Sequence, residues 1–396
     1  MTEDHTTRSP GIEPLVLVGG LWLAAKFARY SFPALFPTFE TTLSLSSSKL
    51  GIAYTAMLLL YSLVQFPSGA LADALDDVRI ITIGACTAAL GAVTLLLPTS
   101  YPVLVGGMLL VGLGTGVHKT VAVGLLSRLY PDRTGRSLGV FDTLGTVGGI
   151  IAPPAVVLAL ASVGWQALFA AICAVVIGLT VRLLVRVPRS DGKESTATVR
   201  EQLAIRPYLD PFRDQGFLLF VGVTLCFSFA YNGVVAFLPT YLVERGLADS
   251  TAALLYSSLF AVSVVQVLTG GLSDRLGRLP LVVGVLSLAT VSLVGLVLVG
   301  GTVLPLTVAT VLLGVGSHGF RPVRAAYLSA AIPDEIAGGG LGLVRTLLMG
   351  VGAVAPATVG IIADATSFRI AFALLAGAMG LAAVFALLTA LSRRGE

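Results

Sequence analysis

Six cations stand inside long apolar runs of this sequence: Lys26 and Arg29, Lys119, Arg321 with Arg324, and Arg345. Asp142 is the acid found among them. A Lys or Arg in a hydrocarbon core costs about 2.5–3.5 kcal/mol on insertion scales, so such a group normally faces a partner or a wet cavity. Lys26 and Arg29 are three residues apart and share a helix face. Cations that outnumber acids in this way suit an anion, and the planar fork of Arg29 matches a carboxylate or phosphate. Tyr30, Tyr231 and Asn232 offer hydroxyl and amide groups to the same region. His118 and His318 carry the side chain that titrates nearest neutral pH. They are candidates for proton coupling, with satisfied helix packing as the alternative.

Other chemistries lack their parts. No nucleophile stands with a base, no His, Cys, Asp or Glu group has metal-ligand spacing, and no phosphate loop for ATP occurs. Neither enzymatic activity nor a metal or cofactor is expected. Gly314-Val-Gly316-Ser-His-Gly319 spells a dinucleotide fingerprint, but it follows no strand, and helix packing explains those glycines better. Cys86, Cys173 and Cys226 lie in apolar segments and read as unpaired thiols.

The elements that carry these residues follow from composition. With 56% hydrophobic residues, 12% charged and a mean hydropathy of +0.93, the 396-residue chain is too apolar for a soluble domain. About 20 apolar residues cross a bilayer as a helix, and runs of that size tile the chain. Twelve spans are predicted, at 15–38, 49–71, 78–98, 102–128, 136–163, 165–187, 215–242, 250–273, 280–300, 303–330, 338–363 and 366–392. Residues 1–14 form a polar tail without a secretory cleavage pattern, 188–214 a Ser-, Thr- and charge-rich linker, and 393–396 a short tail. This divides the chain into six-helix bundles at 15–187 and 215–392. Most of the 25 Lys and Arg residues fall on the side that bears both termini, which is therefore expected to be the cytoplasm. The same bias accounts for the net charge of +4 without a nucleic-acid partner.

The two bundles repeat one another. Gly69-Ala-Leu71-Ala-Asp73 recurs 201 residues later as Gly270-Gly-Leu272-Ser-Asp274-Arg275-Leu-Gly277-Arg278. Gly112-Leu-Gly114-Thr115 with Lys119 recurs as Gly314-Val-Gly316-Ser317 with Arg321. Gly149 and Pro153 match Gly352 and Pro356, and Asp142 matches Arg345. Arg29 has no charged counterpart, because Tyr231 occupies the matched position. Parallel six-helix repeats are an architecture of transporters that bind substrate near the midplane.

Over essentially its whole length the chain resembles the major facilitator superfamily. The loop motif after the eighth span, twelve spans and a central linker carry the resemblance. The first copy of the motif, Asp73-Ala-Leu-Asp76-Asp77-Val-Arg79, lacks the Arg and Gly of the family pattern. The resemblance implies an all-α membrane fold that works by alternating access, with the first, fourth, seventh and tenth spans lining a central cavity. Arg29, Lys119, Arg321, Lys26, Tyr30, Tyr231 and Asn232 then become substrate-binding candidates. It also implies that the second span lies against the eleventh and the eighth against the fifth. Two cytoplasmic clasps are expected from this, Asp73 with Arg345 and Asp142 with Arg278 or Arg275 beside Asp274. They would be made in the outward-open state and broken on inward opening.

A secondary transporter for a small organic anion is the leading expectation, acting as a monomer in the lipid bilayer of the cell membrane. Efflux of drugs or other hydrophobic solutes is the alternative, and a non-transporting sensor or scaffold is the third reading.

Overall fold

The computed structural model describes residues 11–97, 100–187, 211–332 and 337–392, with the backbone alone for Phe66, Ala70, Asp73, Ala74 and residues 337–343. The tail up to residue 10, most of the 188–214 linker and the 393–396 tail lie outside the described residues. The fold is all-α, with no strand among the described residues. The first half comprises α1 (Glu13–Thr42), α2 (Ser47–Leu75), α3 (Asp77–Thr94), α4 (Tyr101–Leu129), α5 (Thr134–Ser162) and α6 (Trp165–Arg186). The second comprises α7 (Gln215–Glu244), α8 (Asp249–Ala261), α9 (Val265–Leu276), α10 (Arg278–Leu298), α11 (Val303–Ala331), α12 (Ala337–Ala365) and α13 (Phe368–Ser392). Twelve segments among the described residues are long and apolar enough to cross a membrane, the eighth being α8 and α9 together.

Local chemistry sets several helix starts. Ser46 caps α2 by accepting from Lys49 N–H at 3.3 Å, and Asp214 caps α7 by accepting from Phe217 N–H at 2.6 Å. Prolines stand inside α1, α2, α5, α7, α11 and α12. Each removes one ladder hydrogen bond, a loss that neighbouring helices make tolerable in a membrane bundle. The eighth span departs from the uninterrupted helix expected at 250–273. A 3-10 turn at Val262–Val264 splits it, in the stretch Val262-Ser263-Val264-Val265, where three β-branched valines and a serine weaken the helix.

Glycine-lined crossings hold the helices together. A Cβ at Gly316 of α11 would lie 2.6 Å from the Val285 carbonyl of α10, and one at Gly114 of α4 would strike the backbone of α3. The glycines that open the two loop-motif copies, Gly69 and Gly270, do not share this role. A Cβ at Gly270 would meet open space and one at Gly69 only ordinary contact with Thr120, so neither marks a tight crossing here.

The halves meet through α2 against α12, α5 against α8, and α1 against α7. Most of the polar contacts that join them lie on the side opposite the termini, while Gln65 Nε2 meets Met349 Sδ at 3.1 Å nearer the middle. On the side opposite the termini the Asp364 carboxylate accepts from Ser47 N–H at 3.1 Å and Ser48 N–H at 2.8 Å, and Thr55 Oγ1 accepts from Ala357 N–H at 2.9 Å. Phe36 packs on Phe237 with ring centroids 5.3 Å apart. On the terminus-bearing side α9 packs on α10 and α11 of its own half.

Candidate functional site

Trp22, Lys26 and Arg29 occupy positions i, i+4 and i+7 of α1 and so form one stripe. The stripe is pressed against α5. A Cβ at Gly145 would collide with the Trp22 indole, one at Gly148 with the Leu23 carbonyl, and one at Gly149 would stand 3.0 Å from the Tyr30 ring. Trp22 is fully buried, stacked on Phe141 with centroids 5.6 Å apart.

Three cations gather around that indole. Lys26 Nζ lies 5.3 Å from its centroid, the Arg29 guanidinium carbon 5.4 Å, and Lys119 Nζ, from α4, 5.6 Å. Arg29 also stacks on Tyr61 at 3.9 Å, and its Nε donates to the Ala25 carbonyl at 3.4 Å. Lys26 donates to Tyr30 Oη at 3.2 Å. Cation–π contacts of this kind reach about 2 kcal/mol or more when desolvated. They leave the formal charges uncancelled. The described residues show carboxylate partners for Lys119, Arg128, Arg182 and Arg186, and none for Lys26, Arg29 or Arg321. Arg29 is nevertheless only 7% exposed.

The second half adds the opposite wall. Arg321 of α11 stacks on Tyr231 of α7 at 4.6 Å and lies within electrostatic reach of Lys26. Tyr30 meets Phe260 across the halves with centroids 4.6 Å apart. Asn232 turns away from this group. Its amide donates to the Ser228 carbonyl at 2.8 Å, beside the Ser228 hydroxyl that binds Leu348 of α12.

Lys119 pairs with Asp142 Oδ1 at 2.9 Å, Asp142 being 60% exposed and Lys119 25%. Asp274, Arg275, Arg278 and Arg345 are exposed on the terminus-bearing side. In this conformation Asp142 therefore faces Lys119 and makes no pair with Arg275 or Arg278 among the described residues. The Asp73–Arg345 pairing lies outside the described side chains on the Asp73 side. His118 is buried, its Nε2 3.0 Å from the Val18 carbonyl and its ring beside Trp22 and Phe141. His318 is equally buried and meets Tyr231 edge-on.

The degenerate first motif acquires a structural meaning. Gly277 takes φ +86° at the turn into α10, and Asp76, its counterpart, takes φ +151° at the turn into α3. Asp76 offsets that unfavourable backbone by capping α3, accepting from Arg79 N–H at 3.1 Å. Asp77, which stands where the second half has Arg278, ion-pairs with Arg128 at the end of α4.

The sequence profile of the Major Facilitator Superfamily matches residues 20–309 and 259–396. The chain belongs to that superfamily. Among its relatives is the Cupriavidus necator protein named "Probable sulfoacetate transporter SauU", 24% identical over 273 residues, which are 65% of this chain and 63% of that one. The chain thus spans a little under two thirds of that relative's length. The fosmidomycin resistance protein of Escherichia coli is 25% identical over 356 residues, 86% of this chain and 83% of that one. Among solved structures, a point mutant of the nucleoside transporter NupG superposes with a TM-score of 0.82 at 13% identity, over 95% of this chain and 99% of that one. That likeness establishes the fold.

Within this superfamily member, two participants escaped the sequence reading. Trp22 was legible in principle, since it lies four residues before Lys26 on the same face of α1. Asp364 carried no local signal, because its partners on α2 are more than three hundred residues away in sequence.

Proposed function

We propose that the chain is a secondary transporter for small organic anions, working by alternating access in the cell membrane with both termini in the cytoplasm. One observation carries the substrate class: Arg29 is buried and charged, flanked by Lys26 and Lys119 around one indole, and has no carboxylate partner among the described residues. A buried charge without a counter-ion is costly, and an anionic substrate supplies the missing partner. Arg29 anchors a carboxylate, sulfonate or phosphate through its fork, while Lys26, Lys119 and Arg321 add field from both halves. Tyr30 and Tyr231 complete the aromatic walls. The relative named for sulfoacetate, which bears a carboxylate and a sulfonate, supports this reading. The excess of Lys and Arg on the terminus-bearing side supports the orientation.

Efflux of neutral aromatic compounds is the second reading, favoured by the rings of Trp22, Tyr30, Tyr61 and Phe260. Uptake into proteoliposomes of a panel of labelled anions, with and without a pH gradient, separates the two. Movement of neutral aromatics with no movement of any anion would sink the anion assignment.

A further inference from the structure

We propose that Asp142 is a tethered counter-ion that competes with the transported anion for Lys119. This rests on the anion reading above and adds a regulatory residue to the same site. Lys119 Nζ belongs to two groups at once: it lies 5.6 Å from the Trp22 ring that Lys26 and Arg29 share, and 2.9 Å from the Asp142 carboxylate. No other carboxylate pairs with the cations of the cluster among the described residues. The internal repeat makes the arrangement one-sided. Arg321, matched to Lys119, lies over an aromatic face, and the residue matched to Asp142 is the exposed Arg345.

The pair is built to exchange. Asp142 is mostly exposed and Lys119 is a compact ammonium on a flexible stem, so the bond between them is screened and weak. Arg29 is locked between Tyr61 and Trp22 with no resident acid, which makes it the permanent anchor. An incoming dianion takes Arg29 first and displaces the Asp142 carboxylate from Lys119 to reach a second cation. In the conformation seen here, in which most polar contacts between the halves lie on the side opposite the termini, a returning Asp142 expels the anion toward the terminus-bearing side. Displaced, the carboxylate is free to meet Arg275 or Arg278 when that side closes.

The test is equilibrium binding of radiolabelled sulfoacetate to the purified full-length chain and to Asp142→Asn, Lys119→Gln and the double variant. Competition predicts that Asp142→Asn tightens binding about fivefold, the size of one partly exposed ion pair. It predicts that Lys119→Gln weakens binding, and that Asp142→Asn has no further effect once Lys119 is gone. Asp142→Glu keeps the wild-type affinity, and Asp142→Ser replaces Asp142→Asn should the amide variant fail to fold. Unchanged or weaker binding in Asp142→Asn overturns the proposal while leaving the anion reading intact. Equal tightening with and without Lys119 also overturns it, because that outcome reports only a change of overall charge. If the wild type binds neutral aromatics and no anion, the anion reading falls and this inference with it.

Discussion

Asp364, at the end of α12, caps the start of α2 at Ser48 across the two halves, its Oδ2 accepting the Ser48 N–H at 2.8 Å while Oδ1 takes the Ser47 N–H. A carboxylate at a helix N-terminus satisfies orphan donors and meets the positive end of the dipole. The second crossing of this kind receives no carboxylate from the facing half. Ala161 stands at the position matched to Asp364, and α8 begins without a side-chain cap. Asp364→Ala should therefore cost the closed side about 1 kcal/mol. With Cys86, Cys173 and Cys226 replaced by serine, a cysteine placed at Thr55 should react faster with a membrane-impermeant maleimide in the Asp364→Ala background. An unaltered rate would remove the clasp from the closing mechanism.

The Arg29 anchor predicts a graded series. Arg29→Ala should lower the affinity for a transported anion by about tenfold or more, as loss of a charge-assisted hydrogen bond does, and Arg29→Lys should recover part of it. Half-saturation constants for proteoliposome uptake report this directly. Intact transport in Arg29→Ala would take substrate contact away from this residue.

Gly145 controls the indole. A methyl group there collides with Trp22, so Gly145→Ala should cost about 1–3 kcal/mol of stability through overpacking. It should also displace Trp22 from Phe141 and the surrounding cations. Because the chain contains two tryptophans, a shift of intrinsic fluorescence in the Trp165→Phe background reads that movement from Trp22 alone. A thermal shift without a change in emission would show that α5 moves as a body and leaves the site unperturbed.

Charge reversal tests the partner exchange of Asp142. Asp142→Arg and Arg278→Asp should each impair transport, and the double variant should restore activity beyond the sum of the single effects. Failure of the double variant to recover would rule out direct pairing of these two side chains in the other conformation.

Much of this fold was readable in the sequence because apolar length and helix periodicity are local quantities. The twelve spans, and the placement of Lys26 and Arg29 on one face, needed nothing beyond helix periodicity. Helix ends were less legible: α1 runs from Glu13 to Thr42, past the apolar stretch at 15–38, since hydrogen bonding continues into the polar flanks. The break at Val262–Val264 was hidden because it changes backbone geometry without changing hydropathy. The Lys119–Asp142 pair was hidden for another reason. Both residues were visible as intramembrane charges, but helix periodicity does not say which cation of the neighbouring helices Asp142 meets.

The turn at Asp76 and Asp77 bears on how the two repeats have diverged. Converting the first copy to the pattern of the second requires glycine at residue 76 and arginine at residue 77. Asp76→Gly alone removes the cap of α3, and Asp77→Arg alone sets a second cation against Arg128. The first step also relieves the positive-φ backbone at residue 76, so the unfavourable one is the second, at residue 77, for as long as Arg128 is present. The divergence at residue 77 is thus epistatic: Asp77 and Arg128 form a unit, and the second half, with Arg278 and Ala330 at the matched positions, carries neither member of it.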